Sequence, residues 1–218
     1  MKSPLELFAE RKNRIETAVN LGKPDRVPFV FIGDGFCANH MGVKLSDFAL
    51  NPALSNKTIL DSVKELGEID WLGVTVCYPD VFSFPTLSYV RVAGRDLPES
   101  QAWQVDEQQL MTVEDYDFIL NKGWQEFFGM YATTRLNNLF ARLAPLFEFV
   151  PKDAINTVKA GLVPFCPING GTPFDMLSGG RTMAKFMQDL FRMPDKVQTV
   201  MDIIAEALIA QTRSQIKA

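Results

Sequence analysis

Leu162-Val163-Pro164-Phe165-Cys166-Pro167-Ile168-Asn169-Gly170-Gly171-Thr172-Pro173-Phe174-Asp175, followed by Met176-Leu177-Ser178-Gly179-Gly180-Arg181, decides how the rest of the chain is read. Val163, Phe165 and Ile168 make a short apolar run of strand-forming residues, and Asn169, two glycines and Thr-Pro break it. The run predicts a buried strand that gives way to a loop at its carboxyl end. Downstream, Met183, Phe186, Met187, Leu190 and Phe191 fall at i, i+3, i+4, i+7 and i+8, a spacing that predicts a helix with all five on one core-facing stripe. Strand, loop and helix in this order form the unit of parallel α/β proteins, where ligands collect at the carboxyl ends of strands.

Two further units are expected upstream. Ser3 and Glu6 form a capping box with Pro4 at the first helical position, so a helix is expected over about 4–21, stopped by Gly22. Lys23-Pro24-Asp25-Arg26-Val27-Pro28 then leads into a strand at 29–32, with Gly33-Asp34-Gly35 as its turn. Asn51-Pro52 opens a helix that carries Ile59, Leu60, Val63 and Leu66 on one side and ends at Gly67. A second strand is expected at 69–77, with the loop Tyr78-Pro79-Asp80 at its end.

Alternation at 87–92 and 101–105, around Gly94-Arg95-Asp96, predicts a β-hairpin excursion. Thr112 caps a long helix with acids in its first turn, where the helix dipole favours them. Leu136, Leu139, Phe140, Leu143, Leu146 and Phe147 predict another helix to about Val150. Val197, Val200, Met201, Ile204 and Leu208 predict a last one after Pro194.

The 218 residues, 47% apolar and 22% charged, are ordinary for one folded domain over 1–218. A net charge of −4 and the lack of a basic stripe exclude a nucleic-acid surface of the usual kind. Cys37, Cys77 and Cys166 form no Cys-x-x-Cys pair, so neither a structural zinc site nor a disulfide framework is signalled, and a reduced cytoplasmic setting is expected. The longest apolar runs, such as 27–32, are too short for a membrane span or a signal peptide, so no membrane partner is expected.

Several strings together carry a resemblance. Gly-Gly-Thr-Pro-Phe-Asp at 170–175, Gly179-Gly180-Arg181, the helix ending Gln188-Asp189-Leu190-Phe191-Arg192 and Met193-Pro194-Asp195-Lys196-Val197 resemble the uroporphyrinogen decarboxylase superfamily. So do a helix with Arg14 followed by Lys-Pro-Asp-Arg-Val-Pro, and Met111-Thr112-Val113-Glu114-Asp115-Tyr116-Asp117, the latter closest to the methyltransferase branch. The resemblance implies a (β/α)8 barrel. It spans the whole chain but only the amino-terminal part of the family's domain, with about three of the eight barrel strands. The expected fold class is therefore α/β and TIM-barrel-like, an incomplete amino-terminal half barrel with a β-hairpin excursion. An open parallel sheet leaves an unpaired edge, so the expected partner is a second copy in a homodimer or a separate carboxyl-terminal half. A truncated product, a proteolytic fragment and a complete small α/β domain are the alternatives.

By resemblance, the reaction is methyl transfer between a corrinoid protein and a small thiol or folate acceptor. Tetrapyrrole decarboxylation is one alternative, and a non-catalytic binding or assembly subunit completing a barrel in trans is another. The decarboxylase branch holds substrate carboxylates with arginines after its first strand, where 33–40 carries none, and its tyrosine finds only Ser178 and Gly179. The methyltransferase branch binds zinc through His-x-Cys and a distant Cys; Asn39-His40-Met41-Gly42 is not that motif. No cofactor is expected on this chain alone, and corrinoid and zinc would enter only with a completed assembly.

The candidate catalytic residues are Asp80, by resemblance to the family's aspartate after the second strand, and Asp175. Candidate substrate-binding residues are Asp34, His40, Tyr78, Asn169 and Thr172, and no metal ligand is assigned. Plainer roles stand beside these: Asp34 and Asp80 as turn formers, Thr172 or Asp175 as a helix cap, His40 and Arg181 as surface residues. The nine methionines and 17 phenylalanines fall at helical spacing as core filler.

Overall fold

The structure, a computed structural model, describes residues 2–164 and 171–217. In chain order its first elements are α1 (Pro4–Val19), β1 (Val30–Phe31), α2 (Asp34–His40), α3 (Leu45–Leu50), α4 (Pro52–Leu66) and β2 (Trp71–Leu72). A 3-10 turn at Pro79–Phe82 precedes α5 (Ser83–Thr86), β3 (Val90–Arg91), β4 (Gln104–Val105), α6 (Glu114–Lys122) and α7 (Trp124–Thr134). Then come α8 (Leu139–Lys159), β5 (Val163–Pro164), α9 (Pro173–Arg181), α10 (Met183–Arg192) and α11 (Pro194–Lys217).

The expected TIM-barrel-like half barrel is not what forms. Helix accounts for 65% of the described residues and strand for 6%, so the protein is mostly helical with two small sheets among them. The first two strand-like runs are cut short by their own residues. Pro28 and Gly33 flank the first and Gly73 follows the second, so each keeps a ladder of two residues, and the third is described at Val163–Pro164. Within that limit β1, β2 and β5 pair in parallel, Val30 beside Trp71 and Trp71 beside Val163. β3 and β4 pair antiparallel, Val90 opposite Val105.

The chain divides into two compact units. Unit 1 comprises Met1–Tyr78, Val92–Ala102 and Ala144–Pro167. It holds the parallel sheet, with α1 against β5 and with α2 and α3 against α4. Phe48, Ile59, Val63 and Leu72 form its core. Its helices start where the capping chemistry dictates. Ser3 and Glu6 exchange backbone N–H bonds at α1, and the Asn51 side chain accepts from Leu54 N–H at α4.

A charge cluster ties this unit together. Arg14, 4% exposed, donates Nε and Nη2 to the two carboxylate oxygens of Asp25, both at 2.6 Å, and Nη1 to Asp70 Oδ1, also at 2.6 Å. Arg26 grips the same Asp70 through both guanidinium nitrogens, at 2.6 and 2.8 Å, and Phe29 N–H donates to Asp70 at 2.8 Å. Asp70, fully buried, thus fastens α1 and the Lys-Pro-Asp-Arg-Val-Pro lead-in to the start of β2. That is a physical use for the Arg14 and Lys-Pro-Asp-Arg pattern.

Unit 2 comprises Pro79–Arg91, Trp103–Leu143 and Ile168–Ala218. α9 packs on α5 and α10, and α11 packs on α6, α7, α9 and α10 around Met111, Tyr116, Ile119, Phe127, Tyr131, Met176, Phe186 and Val200. Its fastening is Arg181, also 4% exposed, which corrects the surface role expected of it. Arg181 donates to Asp189 at 2.6 and 3.1 Å and to Met111 O at 2.8 Å, while Tyr116 OH donates to Asp189 at 3.0 Å. Leu110 and Met111 N–H both donate to Gly180 O. The Gly-Gly-Arg string and the Met-Thr-Val-Glu-Asp-Tyr string are therefore two sides of one joint.

Helix termini also differ from the sequence reading. α6 ends at Gly123, which takes a φ of 84° before α7 begins, so the acid-rich start opens a short helix and not a long one. The α10 stripe is only partly covered: Phe186 is buried, but Met183 and Met187 are nearly half exposed and Phe191 is 89% exposed.

Candidate functional site

The sequence-derived candidates divide between the units. In unit 1, β1 runs out into Gly33 and Asp34, the first residue of α2, while β2 runs out through Gly73 N–H, which donates to Phe31 O, toward Thr75 and Cys77. The carboxyl ends of these two neighbouring parallel strands therefore open on the same edge. Asp34 is partly buried, and among the described residues no hydrogen bond or ion pair engages its carboxylate. Burial raises that carboxyl above the ordinary carboxylate range.

Cys37, one helical turn on, and Cys77 are buried and free. Burial is the main cause that pushes both thiols up, and the Asp34 charge adds to it in each case. Such thiols are protonated and inert as nucleophiles. Cys77 N–H donates to Ser55 Oγ at 2.8 Å. His40, at the other end of α2, shares a 2.9 Å hydrogen bond between Nδ1 and Ser62 Oγ and stacks on Phe36.

Beside this edge lies a polar network that sequence reasoning missed. Asp153 of α8 accepts from Thr75 Oγ1 at 2.7 Å and from Asn56 Nδ2 at 2.9 Å. Asn56 Nδ2 also donates to Thr75 O at 3.0 Å, and Asn56 Oδ1 accepts from Asn156 Nδ2 at 3.0 Å. Desolvation raises the Asp153 carboxyl, partly offset by the Thr75 hydroxyl. Asn56 and Asp153 are 97 positions apart. The one local signal was a buried-face asparagine inside α4, where an amide needs a partner.

Tyr78 is buried at the end of unit 1's first segment. In unit 2, Asp80 is 2% exposed and paired with Arg142, whose guanidinium also lies 4.8 Å over the Tyr89 ring and donates to Leu136 O at 3.0 Å. This carboxylate is built into a buried ion pair. Thr172 Oγ1 accepts from Asp175 N–H at 3.1 Å and donates to Asp175 Oδ2 at 2.8 Å, which makes the pair the cap of α9. Asn169 lies outside the described residues, as do Cys166 and the rest of 165–170. Asp34 and His40 share α2, and Thr172 and Asp175 share one cap.

Among the described residues no three His, Cys, Asp or Glu side chains converge as a metal site. No described helix is long and apolar enough to cross a membrane. Comparison of the chain with family models, curated proteins and solved structures found no match.

Proposed function

We propose that this chain is a uroporphyrinogen decarboxylase-like protein of the methyltransferase type, which binds a small acceptor at the carboxyl edge of the unit 1 sheet. The observation that supports this reading most is the use to which the resembling strings are put. Arg14 with Lys-Pro-Asp-Arg, Met-Thr-Val-Glu-Asp-Tyr and Gly-Gly-Arg are the joints that fasten each unit, so the match falls on residues under structural constraint.

In the proposed reaction the methyl–cobalt bond of a methylated corrinoid breaks heterolytically and a sulfur–carbon bond forms to a small thiol. The cobalt keeps the electron pair, and the thiol proton goes to Asp34. A carboxylate made more basic by burial, with no hydrogen bond or ion pair among the described residues, suits that task. Decarboxylation of a polycarboxylate fits less well, because 33–40 carries no arginine.

The test is an absorbance assay with methylcob(III)alamin and a small thiol, run on the chain as isolated from its source with whatever accompanies it. Loss of the methyl–cobalt spectrum that slows at least about tenfold in Asp34→Asn supports the proposal, that factor being about 1.4 kcal/mol of barrier. Consumption of uroporphyrinogen without demethylation would replace it with the decarboxylase reading.

A further inference from the structure

Unit 2 contains a cleft of about 380 Å³ that no candidate residue from the sequence touches. Its floor is the Arg181–Asp189 pair, closed beneath by Tyr116. One wall is the polar face of α10, where Lys185, Gln188 and Arg192 stand at i, i+3 and i+7; the other is the segment from Gln109 through Thr112 to Glu114. Lys185 reaches across to Gln109 Oε1, a neutral acceptor. Among the described residues neither Lys185 nor Arg192 has an acidic partner, although most acids nearby are paired. Asp189 is held by Arg181, Asp115 by Arg135 and Asp117 by Lys196. Glu114 hydrogen-bonds to Thr112 and is the one acid in the cleft without a cation.

The local balance is two open cations against one carboxylate, in a recess of small-molecule size whose floor is fixed by a satisfied ion pair. We propose that this cleft is a binding site for a small oxyanion, a carboxylate or phosphate group gripped by Lys185 and Arg192, with the Gln188 amide between them. Seven residues along a helix put the two cationic stems about 10 Å apart, so the anion is bridged from both ends by flexible side chains. Gln188 N–H supplies the neutral donor that fixes orientation. The guanidinium favours planar, two-oxygen contact and the ammonium a point contact, a combination that suits either group.

The experiment is titration calorimetry on the whole chain with inorganic phosphate and, separately, with succinate, at low ionic strength. Saturable binding of either one is expected, and which one binds identifies the group. In Lys185→Ala/Arg192→Ala the affinity should fall at least about tenfold, since both charge-assisted contacts to the anion are lost. Both side chains are exposed, so the variant should retain the circular dichroism of the parent; Lys12→Ala, a cation elsewhere, should bind as the parent does. No saturable heat with either anion would overturn the proposal, as would equal binding by the parent and the double variant. The outcome is independent of the methyl-transfer assay, because the cleft shares no residue with the Asp34 edge.

Discussion

The two units solve one problem in different ways. Each is closed by a buried arginine on an aspartate, but the surroundings of the two clusters differ. In unit 1, Asp70 collects four donors from Arg14, Arg26 and Phe29, and the cluster runs out to water through Asp25, which is 63% exposed. In unit 2 both members of the Arg181–Asp189 pair are buried beneath the cleft, and the remaining bonds go to the Tyr116 hydroxyl and the Met111 carbonyl. A pair with both members buried takes its partners mostly from the protein, whereas a cluster with an exposed member can respond to solvent.

Asp70→Ala should be the most damaging substitution, because it removes four bonds at a fully buried carboxylate and leaves Arg26 without its main partner, while Arg14 keeps Asp25. A loss of about 3–5 kcal/mol is expected from urea unfolding. Asp189→Ala should cost about 3 kcal/mol, less than Asp70→Ala because Asp189 accepts three bonds where Asp70 accepts four. If the order reverses, enclosure outweighs the number of bonds and the comparison must be redrawn. Smaller still is Gly180→Ala, whose new methyl would meet Met111 Sδ at 2.7 Å and Leu87 at 3.3 Å. About 1–3 kcal/mol should be lost, and Met111→Ala in the same chain should recover part of it.

The smallest effects are those of pH, and they have opposite signs. Asp25 is held down to about 2 by its hydrogen bonds to Arg14, so its contribution is full above the ordinary carboxyl value of 3.8 and fades as pH falls toward 2. Asp25→Asn should flatten acid unfolding across that window. Asp34 is raised by burial, so the folded state holds its proton more tightly and stability declines as pH rises above 3.8. Asp34→Asn should therefore raise the melting temperature at neutral pH, and the gain should vanish in acid. A neutral-pH loss instead would mean that the carboxylate has a stabilising partner.

Local chemistry was legible in the sequence where it acts over a few residues. The Ser3–Glu6 box, the Asn51 cap and the Thr172–Asp175 cap all form, since each needs only its own turn. The three parallel strands lie within the apolar runs, yet Gly and Pro shorten the first two to two residues each, and helix dominates the described residues. Arg181 was misread because nothing in 173–181 shows that Asp189 and Met111 converge on it. The Thr75–Asn56–Asp153 network was missed for the same reason: its members come from three distant segments, and only packing brings them together.

The parallel sheet has an order of assembly written into it. β2 is the central strand, but its neighbour β5 is supplied only after the residues of α5 to α8 have been made. As the chain leaves the ribosome, β1, β2 and the Arg14–Asp70 clamp can form early, while one side of β2 waits with its backbone groups unpaired. The first unit by position is thus completed late in synthesis, and a pause in translation before codon 163 would lengthen the interval in which that edge is open to the wrong partner.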